Sequence, residues 1–210
     1  MAEREAGPDV SGRPRHAREL MRAIDGAVVD AGGWDRISCL AVGVGPGTFT
    51  GLRIGVSTAR ALAQARGLPL AGVSSLRALA TGAHSLVPAA TLAVLDAKRG
   101  EAFAALHEGD VELWPPWVGP PGALAERVSA LDGAPLAVGD GSIRFRDELE
   151  AAGAVVPADE DPVHRLRARH VCHLVARAEA GRPELIQPTY LRRPDAELWR
   201  ERDRGSRNGP

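Results

Sequence analysis

The chain holds 210 residues, with 26 Lys and Arg against 27 Asp and Glu and a formal net charge of −1. That balance excludes a global electrostatic pull toward nucleic acid or a membrane surface. With 44% hydrophobic residues the chain can bury a core, which excludes wholesale disorder, and its length allows one domain or two small ones.

Residues 1–15, "MAEREAGPDVSGRPR", are polar and rich in Pro and Gly, and are predicted to be disordered. They carry no apolar stretch of the signal-peptide kind, and no later run is long enough to span a bilayer, so a cytoplasmic, non-membrane protein is expected. A first helix is predicted from about His16 to Ala31. Leu20, Met21, Ile24, Ala27 and Val28 recur on one face of it, and Gly32-Gly33 stops it. Ile37 to Val44 is nearly continuous apolar sequence, the pattern of a strand buried on both faces. Gly45-Pro46-Gly47 ends that strand. Thr48 or Thr50 can then cap a helix that reaches about Arg66 and stops at Gly67. Leu70 to Val73 reads as a short strand, and Ser74-Ser75 caps a helix to about Ala83. Strand, helix, strand, helix with short connections predicts parallel strands joined by crossover helices.

After residue 90 the texture changes. Leu92–Leu95 and Glu101–Leu106 flank "DAKRG" and predict a hairpin. "LWPPWVGPPG" (113–122) reads as a proline-rich loop in which Trp114 and Trp117 serve as anchors. A short helix near Leu124–Leu131 follows, then a strand "PLAVG" ending at Gly139-Asp140-Gly141, then a helix from Ser142 to about Ala152. A long helix is predicted from about Val163 to Ala180, "PTYLRRPD" (188–195) is extended, and the tail 196–210 is frayed. Cys39 and Cys172 lie in apolar stretches without a spacing motif, which points to a reducing compartment and not to a disulfide scaffold.

The stretch "GVGPGTFTGLRIG" (43–55) admits three readings. A phosphate-binding Walker loop needs Gly-Lys-Ser/Thr where Gly51-Leu52-Arg53 stands, and the dinucleotide spacing fails because Gly43, Gly45 and Gly47 lead into Thr48 and Phe49. A tight turn explains Gly45 and Gly47. It leaves Gly51 and Gly55 inside the helix, where each costs about 1 kcal/mol against alanine. The third reading offsets that cost: Gly47, Gly51, Gly55, Ala59 and Ala63, spaced by four, form a ridge of small residues along which another helix can approach closely. Leu52 and Val56 flank the ridge on one side, Ile54 and Ala61 on the other, and leave only the polar strip Arg53, Ser57, Arg60 and Gln64. So wide an apolar surface packs against its own sheet and a further helix. Periodicity alone leaves open whether that helix belongs to the same chain.

Residues 43–80, "GVGPGTFTGLRIGVSTARALAQARGLPLAGVSSLRALA", resemble the signature of the TsaB (YeaZ) family, the dimerisation subunits of the bacterial tRNA threonylcarbamoyladenosine machinery. "PRHARELM" resembles the family's first helix, and "LDAKRGEAF" (95–103) and "PTYLRRPD" fall where the family has similar segments. The resemblance runs from about Arg13 to Asp195. It implies an α/β, two-lobed fold of the actin and sugar-kinase type (ribonuclease H-like), with a first, partner-pairing lobe over 16–88 and a second over 89–195. It further implies a non-catalytic subunit that pairs with a TsaD-like catalytic subunit. A TsaE-like ATPase joins, tRNA is engaged only indirectly, and a homodimer forms when the partner is absent. No cofactor of its own is implied; ATP acts at the level of the complex, bound mainly by the partners. Carried onto this sequence, the pairing surface comprises His16, Leu20 and Ile24 of the first helix with Gly47, Gly51, Gly55 and Ala59 of the glycine helix.

Family members open with a strand ending in an Asp-Thr-Ser-like turn and a hairpin, whereas this chain starts at about the first helix. The first lobe is therefore expected to miss its opening strands and to leave an apolar strand edge open, as from a late start codon or a truncated gene. The rival readings are a truncated, inactive fragment and a nucleotide-binding phosphotransferase or ATPase of the same fold, for which Asp96 of "DAKRG" is the candidate cofactor-binding residue. Asp also suits a hairpin turn there. His170 and His173, with His164 before them, have a helical spacing, but Arg165, Arg167 and Arg169 among them repel a cation, and no metal site is expected. No G-x-S-x-G is present for a serine hydrolase.

Overall fold

The computed structural model describes residues 16–83, 90–175 and 180–192, with side chains from residue 19 onward. The expectations for residues 1–15, for the tail 196–210 and for the end of "PTYLRRPD" lie outside the described residues.

Helix α1 (His16–Asp30) leads through a short 3-10 turn to strand β1 (Leu40–Gly45). Helix α2 (Phe49–Arg66) then crosses to strand β2 (Leu70–Ser74), which pairs with β1 in parallel, Leu40 opposite Leu70 and Gly43 opposite Val73. Thr48 is the N-cap of α2, and Gly67 ends it in the left-handed conformation, φ 63°, its N–H reaching back to the last-turn carbonyls. Helix α3 (Ser75–Ala83) follows at once, and Ser74 Oγ accepts the Arg77 N–H at 3.4 Å. One face of this sheet is covered by α2, with Gly55 over Val42; the other by α3, with Ser75 against Gly43.

The first sheet has two strands among the described residues, and this overturns the expectation of a strand buried on both faces. Leu40 to Val44 are all only half-buried. Two strands are too narrow to be shielded by the helices above and below. The outer edge of β1 has no strand partner among the described residues. At the end of the strand the Val44 carbonyl accepts the Thr189 N–H at 2.7 Å. The far edge of β2 is closed by Gly181, which exchanges both backbone bonds with Leu70.

The second sheet has the order β5-β4-β3-β6. Strands β3 (Thr91–Lys98) and β4 (Glu101–Glu108) form the predicted hairpin, and β6 (Leu136–Val138) joins β3 in parallel. The predicted proline-rich loop is instead the edge strand β5 (Val111–Gly119). Trp114 pairs with Leu106 and Trp117 with Ala104, so Pro115 and Pro116 fall in a bulge where their missing N–H groups break no ladder bond. Helix α4 (Pro121–Ser129) docks on the strand through Arg127, whose guanidinium lies 4.4 Å and 5.5 Å over the Trp114 and Trp117 rings. The predicted helix 142–152 is split at Phe145 into α5 (Asp140–Arg144) and α6 (Arg146–Ala151), with the Phe145 ring buried at the break.

Alternation along the strands makes two cores. Leu92, Val94 and Leu106 face Leu124, Val128 and Leu149 on one side; Ala93, Phe103, Ala105 and Val138 face Leu76 and Leu79 of α3 on the other. Ala78, on a different side of α3, packs with Val73 of the first sheet. This one helix is thus shared by both sheets, and Leu76, Ala78, Leu79 and Ala83 have no exposed surface.

The predicted long helix over 163–180 is also corrected. Pro162–His164 is a 3-10 turn capped by the Asp161 carboxylate, which accepts the Val163 N–H at 2.9 Å, and α7 (Ala168–Val175) begins only afterwards. The buried ring of His164 serves the second sheet, so the chain leaves helical geometry before α7 packs on α3. No helix among the described residues is long and apolar enough to cross a membrane.

Candidate functional site

Two surfaces carry the residues singled out in the sequence. The first is the α1–α2 face. His16 opens α1, its side chain outside the described part. Leu20 and Ile24 are half-buried, Met21 is 39% exposed and Val29 74%; of residues 19–30 only Val28 is buried. The apolar stripe of α1 is therefore only partly covered by the described chain. On α2, Gly51, Gly55 and Ala59 are half-buried, whereas Ala63 is fully buried. A step of four residues advances about 40° around a helix, so the ridge winds from the surface into the core. Gly47 corrects the ridge as read from spacing: it precedes the Thr48 cap, outside the helix, and lines a cleft instead. Gly51 has a local reason as well, because Thr48 Oγ1 lies 2.7 Å from where its Cβ would stand.

The second surface is that cleft, a cavity of about 400 Å³ between the loop Pro46–Phe49, the hairpin turn Asp96–Arg99 and residues 189–192. Gly45 sets the loop: its φ is 121°, and a Cβ there would lie 2.6 Å from the Thr189 carbonyl oxygen of the crossing segment. Lys98 and Arg99 both take left-handed backbone angles, φ 64° and 57°, which fold the hairpin back and leave both side chains at the cavity.

Asp96 lies in the cleft wall with its side chain 8% exposed. Oδ1 accepts the Lys98 backbone N–H at 2.8 Å; Oδ2 accepts from Lys98 Nζ and from Arg144 Nη1, each at 2.8 Å. Burial pushes this carboxyl up, but the hydrogen bonds from Lys98 and Arg144 outweigh it and hold the group below its usual range. Asp96→Ala is expected to cost about 1–2 kcal/mol in urea unfolding at pH 7, by releasing the turn and Arg144 together. The Gly139-Asp140-Gly141 turn backs this wall: Asp140 Oδ1 accepts the Asp96 N–H at 3.0 Å. His164 Nδ1 accepts the Gly139 N–H at 3.1 Å, with Ser142 Oγ 3.3 Å away. His164 is thereby engaged away from α7, where His170 packs on Gly82, and no group of three or more His, Cys, Asp or Glu among the described residues converges for a metal.

Phe49, Arg144, Tyr190 and Arg192 complete the cleft and its wall, and sequence reasoning missed all four as site residues. They come from three distant segments, and none carries a local pattern.

Comparison with known proteins agrees with this architecture. A family profile described as "TsaD: tRNA N6-adenosine threonylcarbamoyltransferase" matches residues 8–115. The tRNA threonylcarbamoyladenosine biosynthesis protein TsaB of Escherichia coli is 34% identical over 171 residues, 74% of this chain and 71% of that protein. An uncharacterised protein of Mycobacterium tuberculosis is 34% identical over 182 residues, 86% of this chain and 77% of its own. A crystal structure from Pseudomonas aeruginosa, described as similar to peptidase YEAZ, superposes with a TM-score of 0.72 at 27% identity, covering 86% of this chain and 87% of the other. The mixed α/β architecture is accordingly the two-lobed actin-like, ribonuclease H-like fold. At 34% identity over more than two thirds of both chains, with the fold shared as well, the chain belongs to the TsaB (YeaZ) family.

Proposed function

We propose that this chain is the non-catalytic, partner-pairing subunit of the assembly that forms threonylcarbamoyladenosine beside the anticodon of tRNA. It docks a TsaD-like catalytic subunit through α1 and the outer side of α2, and a TsaE-like ATPase completes the assembly. ATP is held mainly by those partners. The single observation that carries this reading is the apolar stripe of α1, which the described residues leave half-buried at Leu20 and Ile24 and exposed at Met21, beside the small residues of α2. An amphipathic helix left in that state gains by burying its stripe against a second chain. The rival reading, a nucleotide-hydrolysing enzyme, would draw on Asp96, yet both carboxylate oxygens of Asp96 are already bonded within the chain.

The test is co-elution and calorimetry of the full chain with the TsaD-like subunit of the same genome. Ile24→Arg combined with Ala59→Arg is expected to weaken pairing about 100-fold, roughly 3 kcal/mol, by placing charge at the centre of the face. Helix content should be unchanged. Gly55→Leu, which the ridge alone recommends, would also press on Val42 of β1 and so perturb the chain's own packing. A double variant that pairs at wild-type affinity refutes this interface.

A further inference from the structure

We propose that residues 181–192 act as a strap that fixes both ends of α2, and that Tyr190 is the positioning residue that holds the pairing face in place through Phe49. The strap serves the pairing role proposed for α2, and the inference rests on that reading.

Apart from the 3-10 turn Pro183–Leu185, residues 182–192 form neither helix nor strand, so the segment is held by what it touches. It starts on β2, where Gly181 exchanges both backbone bonds with Leu70. At the turn, Glu184 Oε1 accepts from Gln64 Nε2, in the last turn of α2, at 3.3 Å. The segment then crosses the first sheet where two glycines stand. A Cβ on Gly72 would lie 3.4 Å from Ile186 Cγ2, and one on Gly45 would lie 2.6 Å from the Thr189 carbonyl oxygen. Thr189 also donates its N–H to the Val44 carbonyl at 2.7 Å. Next, Tyr190 meets Phe49, the first residue of α2, with ring centroids 5.1 Å apart. Arg53, one turn further along α2, lays its guanidinium 5.0 Å over the same Phe49 ring. The strap ends on the second sheet. Leu191 packs against the core that holds Phe103 and Val138, and Arg192 pairs with Glu101 of β4 at 2.9 Å.

Gly51, Gly55 and Ala59 of the proposed pairing face lie between the two points at which the strap grips α2. A helix free to slide or tilt by about 1–2 Å would present that face in several positions, of which a partner must select one. A helix pinned at both ends presents one position, which lowers the ordering cost of pairing. The strap can let go without unfolding either sheet, because it adds an isolated bridge at Gly181 to β2 and supplies none of the strands. Pro183 and Pro188 restrict the released segment, so docking it again costs less conformational entropy. Strap docking and partner binding therefore favour each other by the same factor.

Hydrogen exchange of the full chain tests the strap, and calorimetry with the TsaD-like subunit tests its use. Tyr190→Ser combined with Arg192→Ala removes the ring contact and the ion pair, whereas Tyr190→Phe keeps the ring. In the free chain the double variant is expected to exchange at least about ten-fold faster at residues 52–58 and at the Gly181 and Thr189 amides, with β3 and β6 unchanged. Pairing of the double variant should weaken about five-fold. Tyr190→Phe should match wild type in both measurements. Three results would overturn the proposal: wild-type exchange at residues 52–58 in the double variant, β3 and β6 speeding up in step with them, or a double variant that pairs at wild-type affinity. A wild-type chain that does not pair at all removes the pairing role of α2 instead, and the exchange comparison alone then decides whether the strap holds the helix.

Discussion

Gly139→Ala is expected to lower unfolding free energy by about 4 kcal/mol or more, most of the margin that a domain of this size holds. The reason is twofold. Gly139 sits at φ 112°, ψ 170°, a region open essentially to glycine alone, where an alanine is strained by about 1–3 kcal/mol. An added methyl would also drive into the carbonyl oxygen of Val94 and lie 2.7 Å from Leu79 Cδ2. Neither can yield: Val94 lies in β3, an inner strand of the second sheet, and both residues have no exposed surface. Displacing the turn would also break the bonds to His164 and Ser142. Gly153→Ala is the control. Its φ is 98°, but nothing lies within 4 Å of the added carbon, so it should cost only about 1–2 kcal/mol of backbone strain. Urea midpoints of the two variants at matched slope check this; equal losses would show that the collision is not there.

The second large effect is acid sensitivity set by His107. Its ring, 3% exposed, sits on β4 opposite Thr91 and Glu112, and neither ring nitrogen has a hydrogen-bond partner among the described residues. Burial pushes its pKa down to about 4, and the nearby Arg77 guanidinium adds to the shift. Glu112 lies 3.7 Å away, but its exposed carboxylate does not offset the loss of water; Asp110 is engaged 3.8 Å from Arg77. The sign follows from proton uptake. Above pH 6.5 the ring is neutral in both states and the full stability is present. As pH falls from 6.5 toward 4, the unfolded chain takes up a proton that the folded chain refuses. Stability therefore drops until the folded ring itself titrates near 4, by about 3 kcal/mol in total. His107→Leu should remove this component of the pH profile and leave stability at pH 7 unchanged or higher by about 1 kcal/mol, since two unbonded nitrogens leave the core. Parallel pH profiles for wild type and variant between 7 and 4 would refute the assignment.

Much of the first half of the chain was legible because its signals are local. A stop at Gly67, a Ser74 cap and four-residue spacing on α2 act within one or two turns; α2 and β2 end within a residue or so of their predicted limits, and α3 starts where it was predicted. The errors arise where a distant segment decides. Pro115 and Pro116 read as a loop until β4 supplies a register with a bulge to hold them. The apolar periodicity after Val163 continues past a point where the chain must straighten, because His164 is recruited by Gly139, a residue from another element.

The candidate site divides in the same way. Asp96 was visible as a turn aspartate, but its engagement with Arg144, which removes it as a free carboxylate, was not. Gly47 belonged to a numerical ridge and proved to line the cleft. The sequence by itself determined a helix with a small-residue ridge, an amphipathic first helix and the kinship these carry, since propensity, caps and periodicity are properties of neighbours along the chain. The tertiary structure alone decided which side of that ridge stays open, and that Phe49 meets Tyr190 beside the hairpin turn at Asp96–Arg99. Burial and electrostatic field are sums over whatever segments the fold brings together.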